Sequence, residues 1–588
     1  MVTYTTDELT GPSFVEALDR LAAVADSFTD RFLAGNVSVW AGSKISDARY
    51  PDLGRLLTLL LDTLHDLSAN VADPADPERW TLDQIIERSG VTGGDPTVRF
   101  SDWDDTLKDA VIDALWGEYS KVLGTRYAPA GKPPGEVGSL LWDVLHIDEI
   151  YDDPDVVPDA EHRLLALLIL EGVLTSLVTT NWDPLIEDAY GQATRHLPAS
   201  SLKTVVRPSD ISGTGGQPSL TKMHGCARAA KHDPAAQVYV VGTEQQVNAW
   251  PTKPEVQPVK DAVTNIARAF EVLYLGLSGQ DLNIQQEHIE AGLFADWDYT
   301  ADGPRVVFAH GNLEGPKGDI LEAAYGTATY HAHYDEIRDH ALVPLFAKPL
   351  LGALYAYVLR EKLRAYARAL PDHPFAWLAA QGVEALFDHI AALVDDVPAS
   401  TTSSAEVRRW RFVSKEGAQF VSSFVRVYRN GGAVLDTWEY HALSAASASA
   451  PQASDYRLAL AIGILVEGHN QSRWRLSLVP DRPEQLLIHT PLGEEIPVFV
   501  TCDEMVSAGP LTYTVPHPSE THLVLVAQGR DNGSRGVPSP TATHLARLNA
   551  AKRVELYLDA WLDHPDPVAM LHAQLFENAL THAPPTAP

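Results

Sequence analysis

The chain has few cysteines, a deficit of cationic residues and no long apolar run. Only two cysteines, Cys226 and Cys502, occur among 588 residues, which excludes a disulfide framework and a four-cysteine zinc site. We therefore expect no bound metal. Lysine and arginine number 45 against 78 aspartates and glutamates, and the formal net charge is -33. A surface this acidic repels phosphate backbones, so we expect no direct nucleic-acid binding.

Membrane and targeting segments are also missing from the sequence pattern. The most apolar stretches, residues 56–64 and 164–170, are much shorter than the roughly 18 residues of a spanning helix. Residues 1–10 are polar and acidic, without the basic and apolar regions of a signal peptide. These features predict a cytoplasmic protein that does not contact membranes.

The first 345 residues alternate between short β-branched runs and amphipathic segments. Apolar residues recur at spacings of three and four in residues 13–33 and 53–67, which predicts helices. Alternation of this kind is typical of a doubly wound, mainly parallel, Rossmann-like sheet, which binds ligands at the carboxyl ends of its strands. The predicted strands are residues 37–40, 176–180, 220–223, 238–241, 272–275 and 305–308.

Composition and periodicity divide the chain into three predicted parts. Residues 1–345 form the α/β domain, which carries a helical insertion at about 68–160, a stretch rich in Asp, Pro and Gly. Residues 346–404 are predicted as a helical segment and a linker. In residues 405–588 the apolar period falls to two, which predicts a β-rich domain. Two helices are expected to close this domain, at residues 545–562 and 568–580.

Four stretches that could carry chemistry follow predicted strands. Small residues in the first and last would let backbone N–H groups approach a phosphate. Asn181 offers a donor and an acceptor, Asp183 a carboxylate, and His224 a general base near neutral pH. Each stretch taken alone favours an ordinary role as a turn, a helix cap or a structural histidine. The stretches are Ala41-Gly42-Ser43, Thr179-Thr180-Asn181-Trp182-Asp183, Lys222-Met223-His224-Gly225 and Gly276-Leu277-Ser278-Gly279-Gln280-Asp281.

In this order the four stretches resemble the sirtuin-like NAD-consuming domain. The family pattern is a Gly-Ala-Gly-x-Ser turn, then Thr-Thr-Asn-Tyr-Asp, Lys-x-His-Gly and a Gly-x-Ser-x-x-Asp turn. The resemblance extends over about residues 14–345, with Trp40 at the first glycine and Lys44 at the serine of the first turn. Pro51-Asp52-Leu53 matches the Pro-Asp-Phe of the family's mobile cofactor loop with a shift of one residue.

The four-cysteine zinc ribbon of protein-deacylating sirtuins is missing, because its region holds only Cys226. The chain therefore resembles the bacterial sirtuin-like NAD hydrolases of anti-phage defence, which implies cleavage of the nicotinamide–ribose bond to nicotinamide and ADP-ribose. The resemblance implies that Asn181 positions the water and the ribose, that His224 accepts a proton, and that Asp183 orients Asn181 or the ribose. It also implies that the following residues contact NAD: Ala41, Gly42, Ser43, Asp52, Thr180, Gly276, Ser278 and Asp281.

Two other functions stay open: an NAD-dependent deacylase or ADP-ribosyltransferase, and a non-catalytic sensor that binds NAD or ADP-ribose. The resemblance also implies a homo-oligomer that is held inactive until it is triggered. The trigger would be a phage protein or a separately encoded ATPase of the DNA-translocase type. This chain has no Gly-x-x-x-x-Gly-Lys-Ser/Thr phosphate loop, so such an ATPase would be a partner protein.

Overall fold

The computed structural model describes most residues up to 368 and only short stretches beyond. Up to that point the described residues are 6–24, 26–68, 73, 76–127, 140–195, 202–211, 216–277, 279, 282–292 and 305–368, and later ones lie between 384 and 573. The chain divides into two compact units. The first comprises Met1–Pro12, Asp19–Gly191 and Pro198–Leu351, and the second Ser13–Leu18, Gln192–Leu197 and Gly352–Pro588.

A seven-stranded parallel sheet forms the centre of the first unit. Its strand order is β3-β4-β2-β1-β5-β6-β7, and every pair of neighbours is parallel. The central strands are buried along their whole length, as expected for a sheet covered by helices on both faces. The strands are β1 Val37–Ala41, β2 Ser176–Thr179, β3 Lys203–Val205, β4 Ser219–Lys222, β5 Glu271–Leu275, β6 Val306–Ala309 and β7 Leu342–Val343.

Helices connect these strands, so the predicted doubly wound, Rossmann-like α/β fold is confirmed. Periodic apolar residues explain the best-defined helix, Leu53–Leu67, which Asp52 caps by accepting from the Arg55 N–H at 2.9 Å. The helices are α1 Thr6–Thr10, α2 Phe14–Ala22, α3 Asp26–Leu33, α4 Leu53–Leu67, α5 Pro77–Arg88, α6 Asp105–Trp116, α7 Tyr119–Leu123, α8 Ile147–Ile150, α9 Ala160–Leu170, α10 Leu185–Ala193, α11 Pro208–Ile211, α12 Ala227–His232, α13 Glu244–Ala249, α14 Gln257–Ala269, α15 Leu282–Gly292, α16 Pro316–Tyr325, α17 Thr327–Ala332, α18 Tyr334–His340 and α19 Ala347–Arg368.

The predicted helical insertion between β1 and β2 has its own apolar core. Its described residues form helices and turns and contain no strand. Leucines of α4 pack there with residues of the insertion, including Ile85, Phe100 and Leu115. A second cluster lies against β1, β5 and β6 and contains Trp40 and Tyr274. The insertion and α4 therefore share one apolar core, and the sheet and the later helices share another.

One predicted strand is wrong, and two strands of the sheet were not predicted. Residues 238–241 are not a strand: Pro234–Tyr239 is a 3₁₀ helix, and the Asp233 carboxylate caps it by accepting from the Ala235 N–H at 3.0 Å. An aspartate followed by proline starts a helical turn because it supplies the cap and a preset φ. Strands β3 and β7 were not predicted, because they are edge strands of only 3 and 2 residues.

The described strands of the second unit form a five-stranded sheet in the order β12-β11-β10-β9-β8. The predicted helix at 545–562 is wrong where it is described, because residues 553–557 form a strand that pairs in parallel with its neighbour. The β-rich domain itself stays a prediction, since most of residues 405–588 lie outside the described residues. The strands are β8 Arg475–Val479, β9 Arg482–His489, β10 Glu495–Thr501, β11 His522–Val526 and β12 Arg553–Tyr557.

Candidate functional site

The carboxyl ends of four neighbouring strands lie in one row across the first sheet. Thr179 of β2 pairs with Ala41 of β1 and with Lys222 of β4, and Ala41 pairs on its other side with Leu275 of β5. The chain leaves β1 toward β2 on one side and later returns to β5 on the other, so β1 is the switch point of the sheet. Ligands of doubly wound sheets bind at such a point.

This register brings the two strongest sequence candidates to the same edge. Asn181 follows Thr179 by two residues, and His224 follows Lys222 by two residues on the neighbouring strand. The side chains are 8% and 7% exposed. Both residues therefore lie just beyond the carboxyl ends of neighbouring parallel strands.

The turns after β1 and β5 pack backbone against backbone. The Gly42 N–H donates to the Leu275 carbonyl at 2.9 Å, and the Lys44 N–H donates to the Gly276 carbonyl at 3.3 Å. A Cβ atom on Gly42 would lie 2.6 Å from the Gly276 carbonyl oxygen. Gly276 has a φ of 64°, and its Cβ would lie 2.9 Å from the Lys44 side chain. Glycine is therefore required in both turns, and Ser43 between them is exposed.

Trp40, which stands at the first glycine of the family pattern, faces the core. Its side chain is 1% exposed. The indole centroid lies 5.7 Å from the Tyr274 ring and 5.2 Å from the His288 ring. The ring therefore fills space under the sheet and presents no surface at the turn.

Asn181 is held from both its backbone and its side chain. Its N–H donates to Thr179 Oγ1 at 3.0 Å, and Thr179 Oγ1 donates to the Ala41 carbonyl at 2.9 Å. The Thr180 N–H reaches the same carbonyl at 3.3 Å. The side-chain nitrogen of Asn181 donates to Ser46 Oγ at 3.3 Å. Its Oδ1 is buried and has no hydrogen-bond partner among the described residues.

An unpaired buried carbonyl is costly and is retained where it has a functional use. Asn181 Oδ1 is thus a candidate acceptor for a ligand hydroxyl or a water at the carboxyl edge of β2. The helix α10 is capped by Asp183 and not by Asn181 among the described contacts. Asp183 Oδ1 accepts from the Leu185 N–H at 3.1 Å.

Lys222 ties the Asp183 segment to the end of β4. Its ammonium group donates to the Asp183 carbonyl and to Glu187 Oε1, the latter at 3.1 Å. The lysine side chain is 1% exposed, so both contacts form in a largely dry environment, where they are stronger than on the surface. Lys222 therefore fixes the loop that follows Asn181.

His224 lies at the end of β4 against the segment that follows it. Its ring contacts the Trp250 ring edge to face, with the centroids 6.5 Å apart. The Trp250 indole N–H donates to the Met223 carbonyl at 3.0 Å, and the Val241 N–H donates to the His224 carbonyl at 3.2 Å. Cys226 nearby is buried with a free thiol.

Aromatic side chains lie beside Asp183. Tyr151 packs against Tyr50 with the centroids 5.1 Å apart, and against Trp182 with 5.5 Å. Burial and the charge of Asp183 raise the pKa of both tyrosines above the ordinary value. Both phenols therefore keep their protons at physiological pH and can serve as donors.

The remaining predicted contacts with NAD fall into two groups. Asp52 uses its carboxylate to cap α4, so in this structure it has a structural contact at the start of a helix. Ser278 and Asp281 lie outside the described residues.

Two residues at this site carried no signal in the sequence analysis. Ser46 is 4% exposed and His162, at the start of α9, is 0% exposed. His162 Nε2 lies 3.0 Å from Ser46 Oγ. Burial lowers the pKa of His162 to about 4, so the ring is neutral at physiological pH. A pattern with Asp159 three residues before His162 predicts a helix cap but not a contact with residues 46 or 181.

Together these features describe a doubly wound α/β protein with a candidate polar site at the carboxyl ends of β1, β2, β4 and β5. Residues 175–292 match the family model described as the SIR2-like domain, and SIR2-like domains act on NAD. This similarity supports a sirtuin-like family. The matched segment begins at β2 and ends with α15, so it includes Asn181, Asp183 and His224. A search of curated proteins finds no match to this chain.

Metal-binding and membrane-spanning features were searched over the described part of the chain only. No three or more His, Cys, Asp or Glu side chains there are grouped so that they could hold a metal ion. No helix in the same part has both the length and the apolar character needed to cross a bilayer.

Proposed function

We propose that this protein is an NAD glycohydrolase that cleaves the nicotinamide–ribose bond, releases nicotinamide and ADP-ribose, and depletes NAD in anti-phage defence. The observation that carries the proposal is the buried, unpartnered Oδ1 of Asn181. It lies at the switch edge of the sheet, within a segment similar to a domain that acts on NAD. A neutral amide acceptor at that place fits a ribose hydroxyl or a water.

The reaction consumes one water and needs a proton acceptor. The water oxygen forms a bond to the ribose carbon, the bond from that carbon to the pyridinium nitrogen breaks, and nicotinamide leaves with the bonding electrons as a neutral molecule. Asn181 Oδ1 orients the attacking water or the ribose, and His224 on the neighbouring strand accepts the proton that the water loses. Positioned proton acceptors contribute typically about 10²–10⁴-fold in rate.

The close-packed turns after β1 and β5 support the proposal from the binding side. Gly42 and Gly276 allow the two turns to pack directly against each other, which fixes the backbone of both turns at the carboxyl edge where a dinucleotide would bind. Exposed Ser43 supplies a hydroxyl at the same turn. Ala41, by contrast, is 1% exposed, and its carbonyl accepts the hydrogen bond from Thr179 Oγ1 that holds the start of the Asn181 segment.

The direct test incubates the purified full chain with NAD, with and without an acylated peptide, and measures free nicotinamide. Release without peptide is expected. Release only with peptide would overturn the hydrolase in favour of a deacylase, and NAD binding without release would overturn it in favour of a sensor. Ser38→Ala is the matched control for variants of Asn181, because Ser38 on β1 is also buried and its hydroxyl donates to the Ser176 carbonyl at 3.0 Å.

The defence role is tested in cells. Bacteria that express the chain, alone or with a DNA-translocase-type ATPase encoded beside it, are challenged with phage while cellular NAD is measured. We expect NAD to fall on infection and plaque numbers to drop, and we expect the active form to be a homo-oligomer. Equal protection by Asn181→Ala would overturn NAD depletion as the mechanism.

A further inference from the structure

Three buried side chains from distant parts of the chain form one hydrogen-bonded series at the candidate site. His162 Nε2 lies 3.0 Å from Ser46 Oγ, and Asn181 Nδ2 lies 3.3 Å from the same oxygen. Ser46 follows β1, His162 begins α9 at the end of the insertion, and Asn181 follows β2. None of the three is more than 8% exposed.

The hydrogen bond to Nδ1 of His162 determines which atoms in this series donate and which accept. The Asp159 N–H donates to His162 Nδ1 at 3.2 Å. Because Nδ1 accepts and the buried ring is neutral, the single ring proton is on Nε2. His162 therefore donates to Ser46, and Asn181 donates to the second lone pair of the same hydroxyl oxygen.

We propose that His162 and Ser46 are positioning residues that hold the Asn181 amide by its nitrogen and so leave Oδ1 facing the substrate, an inference that rests on the proposed function of Asn181. The substrate group that meets Oδ1 must then be a hydrogen-bond donor, either a ribose hydroxyl or the attacking water. Without this anchor the amide can rotate and lose its alignment. Misplacement of a catalytic group by about 1 Å can cost about 10²-fold in rate.

The two nitrogens of His162 allow a structural role to be separated from a positioning role. The Nδ1 contact completes the capping box at the start of α9, whereas the Nε2 contact reaches Ser46. An asparagine places its amide near the Nδ1 position and can keep the cap but not the Ser46 contact. A glutamine places its amide near the Nε2 position and can keep the Ser46 contact but not the cap.

The experiment measures kcat and KM for nicotinamide release by the full chain. We expect Ser46→Ala and His162→Asn to lower kcat about 10- to 100-fold with KM within about threefold of wild type, because the loss concerns orientation of the reacting group. His162→Gln should be about tenfold more active than His162→Asn. The control Ser38→Ala, which removes a buried hydroxyl elsewhere on the sheet, should stay within about threefold of wild type.

Failure of the inference and failure of the proposed function give different results. Wild-type protein that releases no nicotinamide from NAD, whether or not it binds NAD, overturns the proposed function. Active wild type with Ser46→Ala and His162→Asn indistinguishable from Ser38→Ala overturns only the positioning role. If Ser46→Ala does not fold, the inference is tested by comparing His162→Asn with His162→Gln. If the two are equally active, or if His162→Asn is the more active, the histidine acts only as a helix cap and the inference is overturned.

Discussion

Replacement of Asn181 by alanine should leave the protein as stable as the wild type or slightly more stable, while nicotinamide release is lost. The substitution removes one hydrogen bond, from Nδ2 to Ser46 Oγ at 3.3 Å, and such a bond contributes about 0.5–1.5 kcal/mol net. It also removes the buried Oδ1 that has no partner, and an unsatisfied buried acceptor costs about 1–3 kcal/mol. The balance lies between about −0.5 and 2.5 kcal/mol, with its centre at about 1 kcal/mol in favour of the alanine variant.

No new unpaired group arises in this variant, because Ser46 keeps its contact with His162. The measurement is the free energy of unfolding from denaturant titration, made beside an assay of nicotinamide release. Ser38→Ala provides the comparison: it loses a similar hydrogen bond without removing an unpaired atom, so it should be less stable by about 0.5–1.5 kcal/mol.

The reasoning would be refuted if Asn181→Ala were less stable than wild type by more than about 1 kcal/mol. Such a loss would mean that Oδ1 is paired in the free protein and is not held available for a ligand. Full nicotinamide release by the same variant would separately contradict the catalytic role.

Four further predictions follow from the site and its surroundings. His224→Ala should reduce nicotinamide release about 10²–10⁴-fold with nearly unchanged Tm, and a wild-type rate would contradict its role as proton acceptor. Lys222→Met should lower the free energy of unfolding by up to about 3–5 kcal/mol, because it leaves the buried Asp183 carbonyl and the partly buried Glu187 carboxylate without their cationic partner. A loss below about 1 kcal/mol would show that the pair is unimportant. Burial raises the pKa of Glu287 to about 7, so the folded state holds this proton more tightly than the unfolded state and loses stability as pH rises from about 4.5 to 7. Glu287→Gln should make the fall in Tm over this range shallower, and an unchanged slope would refute the assignment. Metal analysis should find no tightly bound zinc, and one zinc per chain would contradict this and favour the deacylase alternative.

Much of the fold was predictable because its signals are local. The leucine spacing and the Asp52 cap define α4 at the bounds that the structure has, Leu53–Leu67. Strands β1 and β5 are short β-branched or apolar runs, as buried parallel strands are. The run at 238–241 has the same composition, yet a cap at Asp233 makes residues 234–239 helical. Local apolar content could not separate these two outcomes.

The residue types at the carboxyl ends of the strands could be identified from the amino-acid sequence alone. Asn181 and His224 each lie within two residues of their strand, so strand prediction and the rule for parallel sheets were enough to bring them to one edge. The roles of Asp183 and Asn181 were left open, because both residue types can bind the start of a helix.

The folded structure shows that Asp183 caps the helix, and it also shows which side chains surround Asn181. Ser46 contacts His162 across 116 positions of the chain and Asn181 across 135. The insertion between β1 and β2 separates these residues in sequence, while β-sheet pairing and burial of α9 bring them together. Contacts between residues so far apart in sequence depend on how the whole α/β unit packs. Short-range patterns of polarity therefore do not predict them.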